Sequence, residues 1–268
     1  MPSRTDGFER PVPASLHAAD PEPLGRVAFV LVGTSHPGNV GSAARAMRTM
    51  GLVDLRLVAP RFDDVAERPE AVAFASGATE VLGAARRFAT LDEAIADASL
   101  AIAVSAEPRE FGPEPATPEG CAADALGVLA ADPAHRVAFV FGAERTGLSI
   151  DEVQACGRLC SIPASPSYAS LNLAQAVQVV AYCLRRAALE AGPAAEPGAR
   201  ARLADQRAVH GLLEHGERAL RAIGFLDPQH PKKLLPRLRR LLLRARLRPE
   251  EVDLLRGVLK LMERGGPR

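Results

Sequence analysis

The stretch "GTSHPGNVGSAAR", residues 33–45, follows a short apolar run and leads into a helical pattern. A strand, a glycine turn and a helix in this order hold phosphates in many proteins, because the first N–H groups of a helix are free. Gly33 and Gly38 have the spacing of a triphosphate-binding loop, but Asn39 and Val40 stand where that motif needs its lysine and its hydroxyl. The glycines do not fit the dinucleotide pattern G-x-G-x-x-G either. The turn therefore has to be interpreted together with the rest of the sheet.

Short apolar or β-branched runs alternate with helical patterns along most of the chain. The predicted strands cover residues 27–33, 54–59, 99–105, 136–142 and 159–163, with a weaker candidate over 86–89. The predicted helices cover residues 39–50, 67–75, 91–97, 117–130, 149–156 and 172–190. This alternation predicts an α/β fold whose mostly parallel sheet carries helices on both faces. Asn39 is expected to cap the first helix and Gly51 to end it.

Composition divides the chain into four parts. Residues 1–25 are rich in Pro, Ala and charge without a period, which predicts a disordered leader, and residues 26–190 form the predicted α/β domain. Residues 191–200 have the composition of a flexible linker, and residues 201–268 predict a small, all-helical C-terminal domain.

Three helices are expected in the C-terminal domain, over about 201–223, from Pro231 and from Pro249. The second helix carries leucines on one side, namely Leu234, Leu235, Leu238, Leu241 and Leu242. Its other side carries the basic residues Lys232, Lys233, Arg237, Arg240 and Arg244.

Charge is distributed unevenly between the two domains. Residues 200–268 contain 17 Lys and Arg against 8 Asp and Glu, a net charge of +9, whereas the whole chain has a net charge of +1. A basic domain on an acidic body favours an anionic partner, with nucleic acid first. On charge alone, a merely solvated helical face is an equally good interpretation.

Four cysteines, Cys121, Cys156, Cys160 and Cys183, include only one C-x-x-x-C pair and no second pair at zinc spacing. Buried, reduced thiols are therefore expected, and no metal site. The sequence has no apolar run as long as a membrane span and no signal-peptide core, which predicts a cytoplasmic protein without a membrane partner.

Two further predicted strands end in polar and small residues. "VFGAERTGL", residues 140–148, and "IPASPSYASLNLAQAVQ", residues 162–178, each lead from a strand end into a helix. Open α/β sheets bind ligands at this edge. Together with "NVGSAAR", residues 39–45, these stretches resemble the three ordered motifs of the TrmH/SpoU-type ribose methyltransferases of the SPOUT superfamily. The resemblance covers about residues 26–190.

This resemblance implies a C-terminal trefoil knot and a bound S-adenosyl-L-methionine, gripped by three loops at the knot. The implied cofactor-binding residues are Val104, Ser105, Ala106, Gly142, Ile162, Ser170 and Leu171. The implied catalytic residues are Asn39, Arg45, Glu144, Ser170 and Asn172. A guanidinium has a pKa above about 12, so Arg45 is expected to bind phosphate and stabilise a developing alkoxide rather than accept a proton. Glu144 is expected to fix Asn39 or Arg45.

Each of these residues also has a purely structural interpretation. Asn39 suits a helix cap, Arg45 a solvated helical position, Ser170 and Asn172 a cap for the last helix of the domain, and Glu144 a surface pair with Arg145. The occurrence of matched polar groups at three strand ends favours the catalytic interpretation.

Within the family the motifs and the basic tail are most similar to a branch that methylates tRNA, which implies nucleotide 32, the first of the anticodon loop, as the target. Arg109 and the five basic residues of the second tail helix are then expected to bind RNA. Ribosomal RNA methylation, a catalytically silent RNA-binding protein and an unrelated nucleotide-binding enzyme are the alternatives. Ala143 departs from the expected motif, so the motifs imply the reaction type but not the base preference.

A homodimer is also implied by the family fold. The small or flexible side chains Ala43, Ala46, Met47, Ala176 and Val179 are expected to let the first and last helices of the domain pack across a two-fold axis.

Overall fold

The computed structural model describes residues 20–191, 202–227, 229–230 and 232–264. Its centre is a seven-stranded, entirely parallel sheet with the strand order β3-β2-β1-β6-β4-β7-β5. The strands are β1 (Val27–Val32), β2 (Asp54–Val58), β3 (Arg86–Phe88), β4 (Leu100–Val104), β5 (Pro115–Ala116), β6 (Val137–Phe141) and β7 (Arg158–Cys160). The predicted α/β fold with a parallel sheet is thereby confirmed. Only the two-residue edge strand β5 has no counterpart in the sequence prediction.

Ten α-helices accompany these strands among the described residues. They are α1 (Pro37–Thr49), α2 (Pro69–Ala75), α3 (Thr79–Gly83), α4 (Leu91–Ile95), α5 (Pro118–Ala131), α6 (Ile150–Gln154), α7 (Leu173–Ala191), α8 (Gln206–Ala222), α9 (Leu234–Ala245) and α10 (Pro249–Arg264). None of them is long and apolar enough to cross a membrane.

Two hydrophobic cores, one on each face, hold the sheet in place. Phe29 of β1 packs against Phe139 and Phe141 of β6 on the face covered by α1, α5 and α7, with ring centroids 5.8 and 5.3 Å apart. On the opposite face, Val30 and Val140 pack beneath α4 and α6. Both central strands are therefore completely buried, as expected of a parallel strand with helices on each side.

Helix α1 lies in the protomer core rather than at its surface. A Cβ atom added at Gly41 would lie 2.0 Å from the carbonyl oxygen of Ala71, so the backbones of α1 and α2 touch here. Ala43 and Met47 are fully buried and Ala46 is 5% exposed, because α7 covers this side of α1 within the same chain. The expectation that these three residues form a dimer contact is therefore wrong.

The start of α1 also differs from the prediction. The helix begins at Pro37, whose fixed φ suits a first helical position, and Asn39 lies inside the first turn instead of capping it. Upstream, residues 22–26 form a 3₁₀ turn with Leu24 fully buried. The ordered body thus begins before residue 26, and residues 1–19 of the predicted leader lie outside the described residues.

The C-terminal helices pack against the body near the end of α4. The backbone N–H of Gln206 donates to the carbonyl of Ala98 at 2.9 Å, and that of Leu203 donates to Nε2 of the buried His135 at 2.9 Å. In α9 the buried leucine is Leu243, whereas Leu241, expected on the apolar side, is 51% exposed. Most of the predicted linker, residues 192–200, lies outside the described residues.

All four cysteines are buried and free. Burial raises the pKa of the Cys156 thiol, and burial with nearby Glu119 raises that of Cys183. Both thiols therefore stay protonated near neutral pH. Among the described residues, His, Cys, Asp and Glu side chains form no group of three or more that could hold a metal ion.

A buried ionic network lies at the amino ends of the strands. Arg56 on β2 is 1% exposed and donates to both carboxylate oxygens of Asp97 and to Asp54, at 2.8 Å for Nη2 to Oδ2 of Asp54. Arg86 and Arg136 also donate to Asp54, each at 2.9 Å. Burial alone would raise the pKa of Asp54, but the bonds and charges of Arg56 and Arg86 outweigh it and lower the pKa to about 2.

Because the folded-state pKa of Asp54 lies below its ordinary value of 3.8, its ionisation stabilises the fold above about pH 4. That stabilisation is lost as pH falls toward 2. We expect Asp54→Asn to lower the free energy of unfolding at pH 7 by at least about 2 kcal/mol, since it also leaves Arg56 short of a partner. Urea unfolding at pH 7 and pH 3 measures this, with the exposed Asp253→Asn as control. A deficit equal at both pH values would contradict the assignment.

Candidate functional site

The candidate site lies at the carboxyl edge of the sheet, where four loops meet. Because β6 lies between β1 and β4, and β4 lies beside β7, the loops that follow these strands are neighbours in space. Residues 33–36, 105–114, 142–149 and 161–172 form these loops. All three motifs of the sequence analysis are therefore brought to one end of the sheet.

The carboxylate of Glu144 joins the loop after β6 to the start of α1. Its Oε2 accepts from the backbone N and the Oγ of Ser35, at 3.1 and 3.0 Å. Its Oε1 accepts from the backbone N of His36 at 3.2 Å and from Nδ2 of Asn39 at 3.1 Å. Glu144 thus accepts hydrogen bonds from N–H groups at the start of α1, where no local side chain caps the helix. Of the two predicted partners of Glu144, Asn39 is bound and Arg45 is not.

These bonds also decide the charge of Glu144. Partial burial raises the pKa of its carboxyl. The hydrogen bonds from Asn39, from its own backbone and from the backbone N–H groups of Ser35 and His36 lower the pKa by a larger amount. The net shift is downward, so the side chain is ionised near neutral pH and acts as an acceptor in the site.

Asn39 extends the network to the third motif. Its Oδ1 accepts from Nδ2 of Asn172 at 2.9 Å, across 133 positions of sequence. Asn172 also caps α7, because its Oδ1 accepts from the backbone N of Ala174 at 2.8 Å while Gln175 accepts from its backbone N. Asn172 therefore both caps α7 and belongs to the hydrogen-bond network of the site. The N-x-x-Q pattern at 172–175 is a sequence signal for this cap.

A cleft beside this network collects the residues assigned to the cofactor. It has a volume of roughly 160 Å³ and lies between the loops after β4, β6 and β7. All seven candidate residues line it, namely Val104, Ser105, Ala106, Gly142, Ile162, Ser170 and Leu171. Glu144 also lines it, together with four apolar or small residues that the sequence analysis missed, Phe141, Ala169, Leu173 and Ala176. Apolar and small residues are common near the ends of strands and helices, so the local sequence did not indicate that these four line a cleft.

Gly142 lets the loop after β6 fold back tightly over itself. A Cβ atom at this position would lie 2.1 Å from the carbonyl carbon of Gly147 and 2.3 Å from the backbone N of Leu148. Residue 142 must therefore be glycine for the cleft wall to keep this shape.

Arg45 lies outside that cleft. It is exposed on α1 and lines a second, more open cleft with Ser42 and Thr49, where Phe74 of α2 and Gln178 of α7 form the other walls. Asn172 also lines this second cleft, whereas the preceding Ser170 and Leu171 line the first. The start of α7 thus separates the two clefts, and the Asn39–Asn172 pair lies between them.

Some of the basic residues expected to bind RNA have acidic neighbours in the folded chain. Arg109 pairs with Glu107 at 3.2 Å. On α9 and just before it, Lys233 pairs with Glu110, and Arg240 pairs with Glu114 at 3.3 Å. These carboxylates belong to the loop after β4, which also lines the first cleft. Lys232, Arg237 and Arg244 are exposed.

The chain is similar in sequence to known proteins. A sequence profile of the SpoU rRNA Methylase family matches residues 26–182, and one of the tRNA methyltransferase TrmJ C-terminal domain matches residues 207–267. The tRNA (cytidine/uridine-2′-O-)-methyltransferase TrmJ of Klebsiella pneumoniae subsp. pneumoniae is 43% identical over 244 residues, covering 90% of this chain and 97% of the relative. The Yersinia enterocolitica protein of the same name is 43% identical over 246 residues, covering 90% and 93%.

Solved structures show the same similarity. The crystal structure of TrmJ from Z. mobilis ZM4 superposes with a TM-score of 0.76 at 35% identity, covering 88% of this chain and 98% of that one. A probable methyltransferase from Bordetella pertussis Tohama I superposes with a TM-score of 0.59 at 49% identity, covering 62% and 98%.

The close approach at Gly142 makes a sharp prediction about stability. We expect Gly142→Ala to lower the free energy of unfolding by roughly 3 kcal/mol, because the new methyl group meets backbone that cannot move aside. Gly127→Ala is the matched control, since a Cβ there meets nothing within 4 Å in the interior of α5 and should stabilise the fold by about 0.5–1 kcal/mol. Urea denaturation compares them. Equal effects at the two positions would show that the turn at 142–148 is adaptable.

Proposed function

The chain belongs to the SpoU methylase family, and on this premise we propose that it transfers a methyl group from S-adenosyl-L-methionine to a ribose 2′-hydroxyl of tRNA. One observation carries the proposal. The loops after β4, β6 and β7 line a single cleft, and a network through Glu144, Asn39 and Asn172 connects it to the cleft that holds Arg45.

The first cleft fits the proposed cofactor in its chemistry. Ile162 and Leu171 offer apolar surface for the adenine ring, and Gly142 leaves backbone groups open to close approach. Ser105 and Ser170 add hydroxyls at the rim. The cofactor supplies an activated methyl group on a sulfonium, so the protein does not have to activate the methyl carbon.

The acceptor is the difficult partner, because a ribose hydroxyl is almost fully protonated near neutral pH. Arg45 is exposed in the second cleft and has no carboxylate partner within ion-pair distance among the described side chains, so it is free to bind a phosphate next to the target ribose. Its positive charge also stabilises the alkoxide that develops as the proton leaves. A guanidinium is a poor proton acceptor, so the substrate phosphate or water is assigned to take the proton.

Asn39 and Asn172 are assigned to orient the ribose, since their amides lie between the two clefts. Glu144 acts through Asn39 and is a positioning residue. Ser170 lines the first cleft two positions before Asn172, which lines the second, and this supports its assignment to both the cofactor and the ribose. This arrangement holds two reactants in a fixed relation, which is the main contribution available for an in-line displacement.

We also propose that the chain is knotted. Strand β7 is inserted between β4 and β5, and α7 then returns to pack against both α1 and α5. To reach that place, the segment 161–172 has to pass the loop after β4 that it also contacts. This path supports the trefoil knot implied by the family motifs, an exception among protein chains.

The proposed substrate is tRNA because both the relatives of the whole chain and the profile of its tail favour it. The relatives that match nearly the whole chain are named as tRNA cytidine/uridine methyltransferases, and the C-terminal helices match the profile of their tail domain. Nucleotide 32 of the anticodon loop is the proposed position, in a cytoplasmic enzyme. Mass spectrometry of tRNA and rRNA from cells with and without the gene tests this. A ribose methyl lost from rRNA alone would replace tRNA with the ribosomal alternative.

The position of Arg45 generates a prediction that separates binding from chemistry. We expect Arg45→Ala to reduce methyl transfer at least a hundredfold and to leave S-adenosyl-L-methionine affinity within about twofold, because Arg45 lines only the second cleft. Calorimetry beside a single-turnover assay measures both. Arg48→Ala is the control, one turn along α1 and paired with Glu80. Parallel loss of cofactor affinity in Arg45→Ala would contradict the assignment.

Acidic partners of the tail generate a second prediction. Glu110 and Glu114 compete with RNA phosphates for Lys233 and Arg240, so the pair of changes Glu110→Gln and Glu114→Gln should strengthen tRNA binding about three- to tenfold at low salt.

Reversal of Arg237, Arg240 and Arg244 to Glu should weaken binding and flatten its salt dependence, by roughly one unit of slope for each lost phosphate contact. Filter binding across a salt series measures both. Unchanged slopes would give the tail a structural role only.

A homodimer remains our proposal, through a different surface from the one expected. Phe74 on α2 lines the cleft of Arg45 and is 54% exposed, and Tyr182, one helical turn after Gln178 of the same cleft on α7, is 51% exposed. Exposed aromatic side chains of this kind favour a two-fold contact. Light scattering should give twice the chain mass at micromolar concentration, and Tyr182→Glu should reduce it to the mass of one chain. A monomeric mass for the unaltered protein would contradict the proposal.

A further inference from the structure

A basic cleft in the C-terminal domain contains an aromatic side chain that is largely exposed to solvent. It lies between the end of α8 and the start of α9, where Phe225 stands beside Lys232, Lys233 and Arg237. The cleft is separate from both clefts of the candidate active site.

Phe225 is held in its exposed position by the backbone. Helix α8 ends at Ala222, and Gly224 follows with a φ of +73°, which turns the chain back. The N–H groups of Phe225 and Leu226 both donate to the carbonyl of Leu220 at 3.0 Å. Leu226 is 3% exposed and anchors the turn in the interior, whereas Phe225 is 66% exposed. The turn therefore presents a rigid aromatic ring at the surface.

The charges around this ring are mainly positive. Lys232, Lys233 and Arg237 contribute three cations, and the one carboxylate of the cleft, Asp227, is paired with His230 at 3.1 Å. Lys233 also pairs with Glu110 of the body. Lys232 and Arg237 are exposed and line the cleft with Phe225, although Arg237 also lies over the ring of Phe111 at 5.3 Å from its centroid. The cleft therefore combines a flat apolar face with an excess of phosphate-binding groups.

We propose that this cleft binds an unpaired nucleotide of the substrate RNA, with its base stacked on Phe225 and adjacent phosphates on Lys232 and Arg237. Single-stranded nucleic acid is recognised by this combination of aromatic face and cations, because every base has a π-face and the backbone is anionic. A base inside a duplex is already stacked on its neighbours and does not fit. The proposal rests on the RNA substrate of the proposed function and adds a stacking site to a tail that otherwise binds RNA through charge.

The sequence makes a direct optical test possible, since the chain contains no Trp. Phe225→Trp introduces the only Trp of the chain at the proposed stacking position, and its emission can be excited apart from that of the two tyrosines. Its emission should fall by at least a third when oligouridylate of about ten nucleotides or tRNA binds, and should change little with a blunt RNA duplex. Leu254→Trp, at an equally exposed residue of α10, is the control that should not respond. An unchanged emission of Phe225→Trp at saturating tRNA, or equal quenching by the duplex, would overturn the proposal.

Affinity measurements provide the second arm. Phe225→Ala should weaken tRNA binding about tenfold, the effect of one stacked base, while the salt slope and the cofactor affinity stay unchanged. Phe225→Tyr should restore binding, and Leu254→Ala should match the unaltered chain. Full tRNA affinity in Phe225→Ala would overturn the stacking site. So would a change confined to the oligomeric mass by light scattering, which would make the cleft a contact between copies of the chain.

The unaltered protein separates this inference from the function on which it rests. If it methylates no tRNA but oligouridylate still quenches Phe225→Trp, the stacking site stands and the proposed substrate fails. If it methylates tRNA and Phe225→Ala binds and methylates tRNA equally well, the proposed function stands and the stacking site fails.

Discussion

The carboxylate of Glu144 is the interaction on which the geometry of the site depends. It accepts from Ser35, His36 and Asn39, which lie 105 to 109 positions earlier in the chain, and Asn39 in turn accepts from Asn172. Four hydrogen bonds to one ionised group are strong enough to offset its partial burial. One side chain from the loop after β6 thereby fixes the start of α1 and, through Asn39, the start of α7.

Helix α7 divides the site into two clefts with different characters. The first, narrow cleft is lined by apolar and small side chains from three loops, as suits a cofactor that must be gripped on several sides. The second, wide cleft is open and contains Arg45, which has no carboxylate partner among the described side chains, and it is the cleft that the proposed function assigns to RNA. Asn39 and Asn172 lie at the boundary, where the proposed function would bring the reacting oxygen to the methyl group.

The tail domain is connected to the same loops through charge. Lys233 and Arg240 lie within ion-pair distance of Glu110 and Glu114, in the loop whose first residues line the narrow cleft. Exposed pairs of this kind contribute little to stability, because water and salt screen them. Under the proposed function they could be exchanged for RNA phosphates while the contacts of Gln206 and Leu203 with the body are kept.

The sequence by itself determined the parallel α/β sheet, the strand ends that line the narrow cleft and the basic tail. These features follow from local patterns: apolar runs between helical periods leave few other folds, and polar groups after strands of a parallel sheet meet at one edge. Tertiary structure alone decided that Glu144 binds Asn39 and not Arg45, that α7 buries Met47 within the protomer, and that Lys233 faces Glu110. Each depends on which distant segments become neighbours. Long-range packing sets that outcome, and neither residue spacing nor charge counts contain it.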